Sequence, residues 1–391
     1  MIWNNFLILV RSGSLNNKLK GKLGFGLMRL PLTDENDNSS IDENQLKDMI
    51  DKFMDSGFNY FDTAYPYHKG LSEVYFKKLI VDRYNREDYI LVDKMPSWLI
   101  KSKDDLPKYF NKQIDRCGVD YFDYYLMHCV GQDTHDVLME AGSYDFLINL
   151  KKEGKIKHIG ISLHDNAEYL DNLLQNIPEI EMVLLQINYV DWEDSNIESR
   201  KCYEVAKKHG KEIMVMEPVK GGALVNVPKN IEDLFKEYNS ANSIASWALR
   251  FCGSLDAVSV VVSGMSNMEQ LEDNIKTMSN FECLNDEEYE IINEAIDIID
   301  ESIAIHCTSC NYCLDACPEN IPISKFLSLF NNQYKFGFQP LYLEYYNNLS
   351  SIYGAKASSC INCDMCKKHC PQKIDIPLEL EKCVDKFENR S

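Results

Sequence analysis

Residues 58–67 read Phe-Asn-Tyr-Phe-Asp-Thr-Ala-Tyr-Pro-Tyr, an aromatic run that ends on the carboxylate of Asp62. Gly57 stops the helical pattern before it, so residues 58–61 predict a short buried strand. Pro66 then opens a loop that carries the phenol of Tyr67. A phenol with an ordinary pKa of about 10 donates a proton poorly at neutral pH unless a cation lies beside it and a carboxylate holds that cation. The stretch therefore predicts a lysine, and a histidine, from elsewhere in the chain.

Candidate partners end the next two apolar runs. Residues 89–94 read Tyr-Ile-Leu-Val-Asp-Lys, and residues 124–128 read Tyr-Tyr-Leu-Met-His. Taken singly, Asp62, Lys94 and His128 have ordinary explanations as a helix cap, a solvated charge and a core histidine. Their joint placement at the ends of successive runs favours a single site instead.

Apolar, β-rich runs alternate with amphipathic segments from Lys22 to about Cys283. Eight runs predict strands, near residues 23–28, 58–61, 89–94, 123–128, 156–162, 182–187, 212–218 and 258–262. Strands and helices alternating at this period predict parallel βαβ units, and eight such units predict a closed (β/α)8 TIM barrel. The alternative is an open doubly wound sheet, which favours a glycine-rich fingerprint; Gly24-Phe25-Gly26 lacks its third glycine. Chemistry in a barrel sits at the carboxyl ends of the strands, where the candidate residues fall.

Composition and charge limit the class of protein. The 391 residues suffice for one large domain and a smaller one. Lys and Arg total 41 against 61 Asp and Glu, a net charge of -20 that disfavours nucleic acid as a partner. No apolar run approaches the roughly 20 residues that span a membrane, and residues 6–10 are too short a run for a signal peptide. We therefore expect a cytoplasmic protein with no membrane partner, in which residues 1–20 form an N-terminal extension.

Eight of the 14 cysteines form two tight runs near the C-terminus. Cys307-x2-Cys310-x2-Cys313-x3-Cys317-Pro318 is repeated as Cys360-x2-Cys363-x2-Cys366-x3-Cys370-Pro371. This spacing is typical of two-cluster ferredoxins, in which the fourth cysteine of each run binds the other cluster. It predicts two [4Fe-4S] clusters, one held by Cys307, Cys310, Cys313 and Cys370, the other by Cys360, Cys363, Cys366 and Cys317. The alternative is structural zinc, which usually takes two cysteine pairs separated by a long loop.

The segment between the two cysteine runs is rich in aromatic residues and predicts helices that shield the clusters. The predicted domains are thus a barrel over residues 21–300 and a small, mostly α-helical, ferredoxin-like two-cluster domain over residues 301–391.

The order and spacing of the barrel residues resemble a known family. Residues 61–67, then Gly-Leu-Ser-Glu at 70–73, then Lys94, then Leu-Met-His at 126–128 resemble the aldo-keto reductase family. The likeness covers about residues 21–285 and continues in the segments 23–31, 158–162, 186, 217–222, 263–266 and 273–274. The appended cysteine runs resemble an iron-sulfur branch of the same family, with a C-terminal ferredoxin-type domain.

The resemblance implies an NAD(P)-dependent oxidoreductase that reduces an aldehyde or ketone by hydride transfer. On this reading Tyr67 protonates the carbonyl oxygen, and Lys94 lowers the pKa of that phenol. Asp62 pairs with Lys94, and His128 donates to the carbonyl oxygen and orients it. The implied partner is a small-molecule carbonyl or alcohol.

The resemblance also implies a set of cofactor contacts. Ser162 and Gln186 match the groups that hold the nicotinamide carboxamide, and Met216 stands where an aromatic ring usually stacks on the nicotinamide. Lys220 matches the loop that covers the pyrophosphate. The whole set is Gly26, Met28, Ser162, Gln186, Met216, Pro218, Lys220, Gly222, Ser263, Gly264, Ser266, Gln270 and Asn274. The family's NADP-selecting lysine and arginine fall on Gly264 and Gln270, which leaves NAD or NADP open.

The clusters raise a separate question, because a hydride carries two electrons and a cubane passes one at a time. A flavin would bridge the two chemistries; no flavin motif is visible, yet the sequence leaves a flavin open. The clusters predict electron transfer or redox coupling, with a ferredoxin or other electron carrier as partner. The alternative function is a ferredoxin-linked electron-transfer or redox-sensing protein that keeps the barrel as a scaffold. The sequence leaves the oligomeric state open.

Overall fold

The computed structural model describes residues 18–34, 37–195, 197–301, 304–305, 307, 311–337, 339–370 and 372–389. Residues 1–17 of the predicted extension and the predicted ligand Cys310 lie outside the described residues. The chain forms two compact units. The first takes the described chain up to Pro218 and Ser246–Leu284; the second takes Val219–Ala245 and the described chain from Asn285 onward. The predicted domain boundary at residues 300/301 stays a prediction.

The first unit contains a closed parallel barrel, as the alternating pattern predicted. Its strands are β1 (Leu23–Gly26), β2 (Tyr60–Asp62), β3 (Ile90–Pro96), β4 (Phe122–Val130), β5 (Ile156–Leu163), β6 (Met182–Gln186), β7 (Glu212–Met216) and β8 (Val258–Gly264). Each strand pairs with the next along the chain, and β1 closes the ring by pairing with β8. The open-sheet alternative is therefore wrong.

Helices follow the strands around the chain. Those up to residue 279 are α1 (Glu43–Asp55), α2 (Leu71–Phe76), α3 (Asp105–Cys117), α4 (Gln132–Glu140), α5 (Ser143–Lys152), α6 (Ala167–Asn176), α7 (Ser199–Lys208), α8 (Lys229–Tyr238), α9 (Ile244–Ser254) and α10 (Met268–Ser279). The first of them shows the local cause: the side chain of Asp42 accepts a hydrogen bond from the Gln45 backbone N–H at 3.0 Å and so caps α1.

Side-chain alternation along the strands positions the site. Tyr60, Ile90, Val92, Tyr124 and Leu126 belong to one buried cluster inside the barrel. Successive side chains of a strand point to opposite faces, so a residue two positions on shares the face of the first. Continuing each inward series by two residues reaches the candidate residues at the carboxyl ends of β2, β3 and β4. The polar layer of the barrel mouth therefore lies on top of the apolar layers that fill its interior.

The second unit is helical, as predicted for the cysteine-rich region. Beside α8 it contains α11 (Asp286–Glu301), α12 (Tyr312–Ala316), α13 (Ile323–Phe336), α14 (Pro340–Tyr353), α15 (Met365–His369) and α16 (Ile376–Phe387). Its core joins aromatic and thiol groups, including Phe326, Phe330, Tyr342, Tyr346, Cys313 and Cys366. Within the described ranges, no helix combines the length and the apolar character that crossing a membrane requires.

Candidate functional sites

The barrel mouth holds Lys94 in a cradle of oxygen atoms. Its Nζ donates to Asp62 Oδ1 at 2.5 Å and to the backbone carbonyl of Thr63 at 2.8 Å. The hydroxyl of Tyr67 lies 3.5 Å from the same nitrogen. Lys94 and Asp62 are 1% and 4% exposed, so their ion pair is shielded from solvent. Three of the four residues predicted from the sequence are thus within contact of one another.

His128, the fourth predicted residue, lies beside the phenol. Its ring centroid is 5.9 Å from that of Tyr67, with the rings nearly perpendicular. The Nδ1 atom is buried and has no hydrogen-bond partner among the described residues. Burial lowers the pKa of His128 well below its ordinary 6.5, and the positive charges of Lys94 and then His164 act in the same direction. The imidazole is therefore neutral at physiological pH.

The electrostatics of Tyr67 differ from the expectation. Burial raises the pKa of Tyr67 well above 10, with further increases from Asp62, Cys129 and other acidic groups. The predicted contribution of Lys94 stays a prediction, because burial sets the direction of this pKa and the Lys94 ammonium is paired with Asp62 at 2.5 Å. Burial also raises the pKa of Asp62, and the contact with Lys94 opposes that rise. The phenol is accordingly protonated at neutral pH.

A second layer of side chains, which sequence reasoning missed, fixes the backbone around Lys94. Asp93 faces outward from β3 and accepts the Lys94 backbone N–H at 2.8 Å. Gln113 on α3 donates to the Lys94 carbonyl at 3.1 Å. Buried Glu73 on α2 pairs with Arg116 of α3 at 2.8 Å. The alternation of β3 was the available signal for Asp93, whereas α3 contacts require tertiary structure.

Predicted nicotinamide contacts meet at the ends of β5, β6 and β7. The Ser162 hydroxyl lies 3.9 Å from the sulfur of Met216. Met216 on β7 is paired with Gln186 on β6 in the strand register. The side-chain amide of Gln186 donates to Asp191 at 2.9 Å, which fixes its orientation. Pro218, the next predicted contact along the chain, is buried. These groups form one wall at the barrel mouth.

The end of β8 brings a further predicted group together. Asn274 donates to the Ser263 hydroxyl at 2.8 Å, and the Ser266 backbone N–H donates to Gln270 Oε1 at 2.8 Å. Gly264 faces the β1 side, where Gly26 ends β1 opposite it in the barrel register. The side chain of Met28, just beyond β1, is 41% exposed.

Arg29 is a functional candidate that sequence reasoning missed. The Ser266 hydroxyl donates to its backbone carbonyl at 3.3 Å. A Cβ atom built on Gly264 would lie 3.1 Å from both Cβ and Cγ of Arg29, so the glycine leaves the room that the arginine occupies. Its Nη2 is buried and has no hydrogen-bond partner among the described residues. A guanidinium with an unsatisfied buried donor next to two predicted cofactor positions fits an anionic group.

The remaining predicted cofactor residues belong to the second unit. Lys220 is buried in a short turn with a positive φ of 50°, and Gly222 closes that turn with a φ of 99°. Glycine adopts such angles without strain.

The cysteines form two concave sites in the second unit. Cys317, Cys360, Cys363 and Cys366 line one of them, and Cys307, Cys313 and Cys370 line the other. Each site therefore combines three positions of one run with the fourth cysteine of the other, with Cys310 outside the described residues. The structure thus brings together one complete predicted set and three members of the other, and the assignment of both sets as cluster ligands stays a prediction.

The spacing of the sulfurs tests the zinc alternative. Four thiolates on one tetrahedral zinc ion lie about 3.8 Å apart. Among the described residues, Glu73, Asp93 and Cys117 form the group of three such side chains within 4.8 Å of one another, and no three cysteine sulfurs do. In the described part of the chain, the cysteine sulfurs therefore do not show the close spacing of a preformed zinc site.

Comparison with known families gives two matches. The aldo/keto reductase family model matches residues 22–297, and a 4Fe-4S dicluster domain model matches residues 306–374.

Individual relatives are distant. An uncharacterised oxidoreductase, YqkF, of Bacillus subtilis (strain 168) is 25% identical over 301 residues, covering 68% of this chain and 90% of that protein. An L-galactose dehydrogenase of Arabidopsis thaliana is 27% identical over 256 residues, covering 58% of this chain and 76% of that protein. Among solved structures, the holo form of the aldo-keto reductase AKR11C1 from Bacillus halodurans matches with a TM-score of 0.58 at 25% identity. That match covers 70% of this chain and 91% of the other.

Proposed function

Because this chain belongs to the aldo/keto reductase family, we propose that it reduces an aldehyde or ketone with a hydride from a nicotinamide cofactor. Tyr67 is the proton donor in this proposal. The observation that carries it is the contact geometry of Lys94, whose Nζ reaches Asp62, the Thr63 carbonyl and the Tyr67 hydroxyl at once. NAD(P)H supplies the hydride when bound.

The raised pKa of Tyr67 has two consequences for the proposed proton transfer. It keeps the phenol protonated before the reaction, so the proton is available. It also makes the phenolate unfavourable, and each pKa unit of mismatch costs about 1.4 kcal/mol. The Lys94 ammonium, 3.5 Å from the hydroxyl, offsets part of that cost when negative charge develops on the phenolic oxygen.

His128 acts as an orienting group in the proposal. A neutral imidazole has one N–H donor and one acceptor nitrogen. Because Nδ1 is buried, Nε2 is the nitrogen of this ring that would donate to the substrate oxygen, and the perpendicular packing against Tyr67 supports that orientation. Trp98, 39% exposed and with its ring centroid 5.2 Å from that of His128, would form an apolar wall of the substrate pocket.

For the cofactor, Ser162 and Gln186 would hold the carboxamide and Met216 would pack on the nicotinamide ring. Arg29 would supply the positive charge that Gly264 and Gln270 cannot. In the second unit, we propose two [4Fe-4S] clusters with the cysteine sets predicted from the spacing, each cluster passing one electron at a time. The four thiols of the fully described set support this assignment.

The proposed reaction is tested with anaerobically purified holoprotein, screened against aldehydes and ketones with NADH and NADPH in parallel. Tyr67→Phe should abolish carbonyl-dependent cofactor oxidation, because it removes the proton and leaves the ring. Tyr65→Phe is the matched control, since that phenol accepts a hydrogen bond from exposed Lys112 at 2.9 Å and stands outside the Lys94 contacts. Unchanged activity in Tyr67→Phe would refute the role of Tyr67.

A second candidate function is one-electron transfer without carbonyl reduction. The single observation that favours it is the match of residues 306–374 to a 4Fe-4S dicluster domain. It predicts no carbonyl-dependent oxidation of either nicotinamide in the same screen, while the clusters still change oxidation state with a reductant.

A further inference from the structure

The two cysteine runs form a structural repeat. Short helices α12 and α15 occupy matching positions in them. The residue before each helix, Asn311 or Asp364, has a positive φ of 64° or 57°. Seven residues after Cys313 and Cys366 the backbone again turns left-handed, at Asn320 and Lys373, with φ values of 53° and 55°. The two halves therefore present comparable backbones, and their side chains can be compared position by position.

The side chains of the two halves differ in charge. Residues 313–320 read Cys-Leu-Asp-Ala-Cys-Pro-Glu-Asn, whereas residues 366–373 read Cys-Lys-Lys-His-Cys-Pro-Gln-Lys. Over these eight positions the first half carries two acidic residues and no basic one, and the second carries three lysines and no acidic one. The second run contains one acidic residue outside this window, the exposed Asp364. This reversal occurs in a chain whose net charge is -20. The second half is a local positive region on an acidic protein.

The second half is also at the surface. Residues 361–365 and 367–369 are all exposed, including the side chains of Ile361 at 60% and Met365 at 40%. Lys367 pairs with Asp375 at 2.6 Å, while Lys368 and Lys373 have no ion pair among the described residues. We call the surface formed by Ile361, Met365, Lys367, Lys368 and Lys373 the second-motif face.

An alternative explanation is that the lysines of the second-motif face balance the negative charge of a cluster and its thiolates, but this does not account for the surface. Exposed ammonium groups are screened by water and salt, so they act weakly on a charge buried beneath them. Compensation also gives no reason for two large apolar side chains, Ile361 and Met365, to face solvent between cluster ligands. Apolar side chains bordered by unpaired charges are typical of an interface.

We propose that the second-motif face docks an acidic one-electron carrier protein. The lysines would steer such a carrier to the cluster region of a protein whose net charge is -20. Ile361 and Met365 would exclude water over Cys363, the exposed member of the ligand set. The carrier is then oxidised by one electron as the cluster is reduced by one, and no bond forms or breaks. The inference rests on the proposed iron-sulfur ligands and not on the proposed carbonyl chemistry.

The test uses anaerobic holoprotein and reduced flavodoxin, an acidic one-electron carrier, in stopped-flow mixing. For the unmodified protein we expect a second-order rate constant that falls as salt is added. The double variant with Lys368→Glu and Lys373→Glu should be at least tenfold slower at low salt and lose that salt dependence. Lys386→Glu, an exposed lysine on α16 outside the repeat, is the matched control and should stay within twofold of the unmodified protein.

A redox titration of each variant, followed by EPR, distinguishes weaker docking of the carrier from a change in the reduction potentials of the clusters. Equal cluster potentials with a slower flavodoxin reaction support docking. The proposal is overturned if the double variant keeps the rate and salt slope of the unmodified protein, or if its slower rate is matched by shifted potentials. The carbonyl screen is run on the unmodified protein separately from the flavodoxin reaction, so failure of the carbonyl proposal is visible separately.

Discussion

Lys94 is held from three directions, and this limits where its charge can act. Asp62 and the Thr63 carbonyl take two of its donors, and the third direction faces the Tyr67 hydroxyl. Breaking a buried ion pair by removing one partner costs about 3–5 kcal/mol, so the ammonium has little freedom to leave. A positive charge fixed at this point favours charge development on the phenolic oxygen over any other neighbour.

His128 gives a pH-dependent prediction. Its folded-state pKa lies well below 6.5, so below pH 6.5 the unfolded chain binds a proton that the folded protein does not. Stability should therefore fall as pH drops below about 6.5, and His128→Gln should make that fall shallower. Thermal unfolding of both proteins from pH 8 downward measures the slopes. Parallel curves for the two proteins would contradict the lowered pKa.

Arg29 gives a prediction about cofactor choice. Hydrogen bonds to charged groups contribute about 1.5–3 kcal/mol, so Arg29→Met should weaken NADP binding by about tenfold or more. If the guanidinium contacts the 2'-phosphate, NAD affinity stays within twofold; if it contacts the pyrophosphate, both affinities fall together. Fluorescence titration with each dinucleotide distinguishes these results, with Arg200→Met, whose side chain is 40% exposed and paired with Glu193, as the control. Unchanged affinity for both would remove Arg29 from the site.

At this scale the sequence predicted those residues whose position follows from strand alternation. The contacts among Asp62, Lys94 and Tyr67 were predictable because each lies at or just beyond a strand end. Arg29 was missed because it occupies space that Gly264 leaves free by having no side chain. The two residues lie far apart in the sequence, so only the fold shows that they are neighbours. The raised Tyr67 pKa was missed because burial cannot be read from one loop.

At the scale of elements, β1 closes the barrel through glycine. A Cβ built on Gly24 would lie 2.8 Å from atoms of both Tyr60 on β2 and Val260 on β8. These two side chains belong to the apolar cluster inside the barrel, so they fill space that a larger residue would need. The small residue is required by packing rather than by a special backbone angle.

Gly24→Ala should therefore destabilise the protein by about 1–3 kcal/mol, the usual cost of adding volume to a packed core. Urea unfolding measures the change. In a Val260→Ala background the same substitution should cost less, because one of the two crowding side chains is shortened. Equal costs in both backgrounds would show that crowding is not the cause.

Element positions were the most predictable level of this structure. All eight strand predictions are confirmed, because parallel strands buried on both faces read as apolar runs. Strand ends were less predictable: β3 continues two residues past Lys94 and β4 two residues past His128. Backbone pairing between β3 and β4 extends these strands beyond their apolar cores.

At the scale of the whole molecule, the two units support different chemistries. Cys366→Ser removes one thiolate from the fully described ligand set. We expect loss of about half of the bound iron and of the flavodoxin reaction, while NAD(P)H-dependent carbonyl reduction persists, because a hydride moves two electrons without a cluster. Iron content, visible absorbance and both rates measure this. Loss of carbonyl reduction in a folded variant would place the clusters on the path of that reaction.

The whole-molecule features were partly predictable. The duplicated cysteine spacing predicted the ferredoxin-type region, and the dicluster match supports it. The net charge of -20 gave no sign of the second-motif face, since a total averages over the surface. The repeated sequence contains the reversal of charge, but the exposure of Ile361, Met365 and the lysines beside the ligands required the structure.

With the ligand sets proposed here, each cysteine run lends its fourth thiol to the other, and this exchange has a consequence for biogenesis. A nascent chain that has emerged only as far as residue 359 contains the four cysteines of the first run. These four supply three ligands of one cluster and one ligand of the other, so neither cluster has its full set. Metal loading must then wait until both runs, as far as Cys370, have left the ribosome. Maturation becomes a single late event, and loss of a whole run leaves both centres short of thiolates.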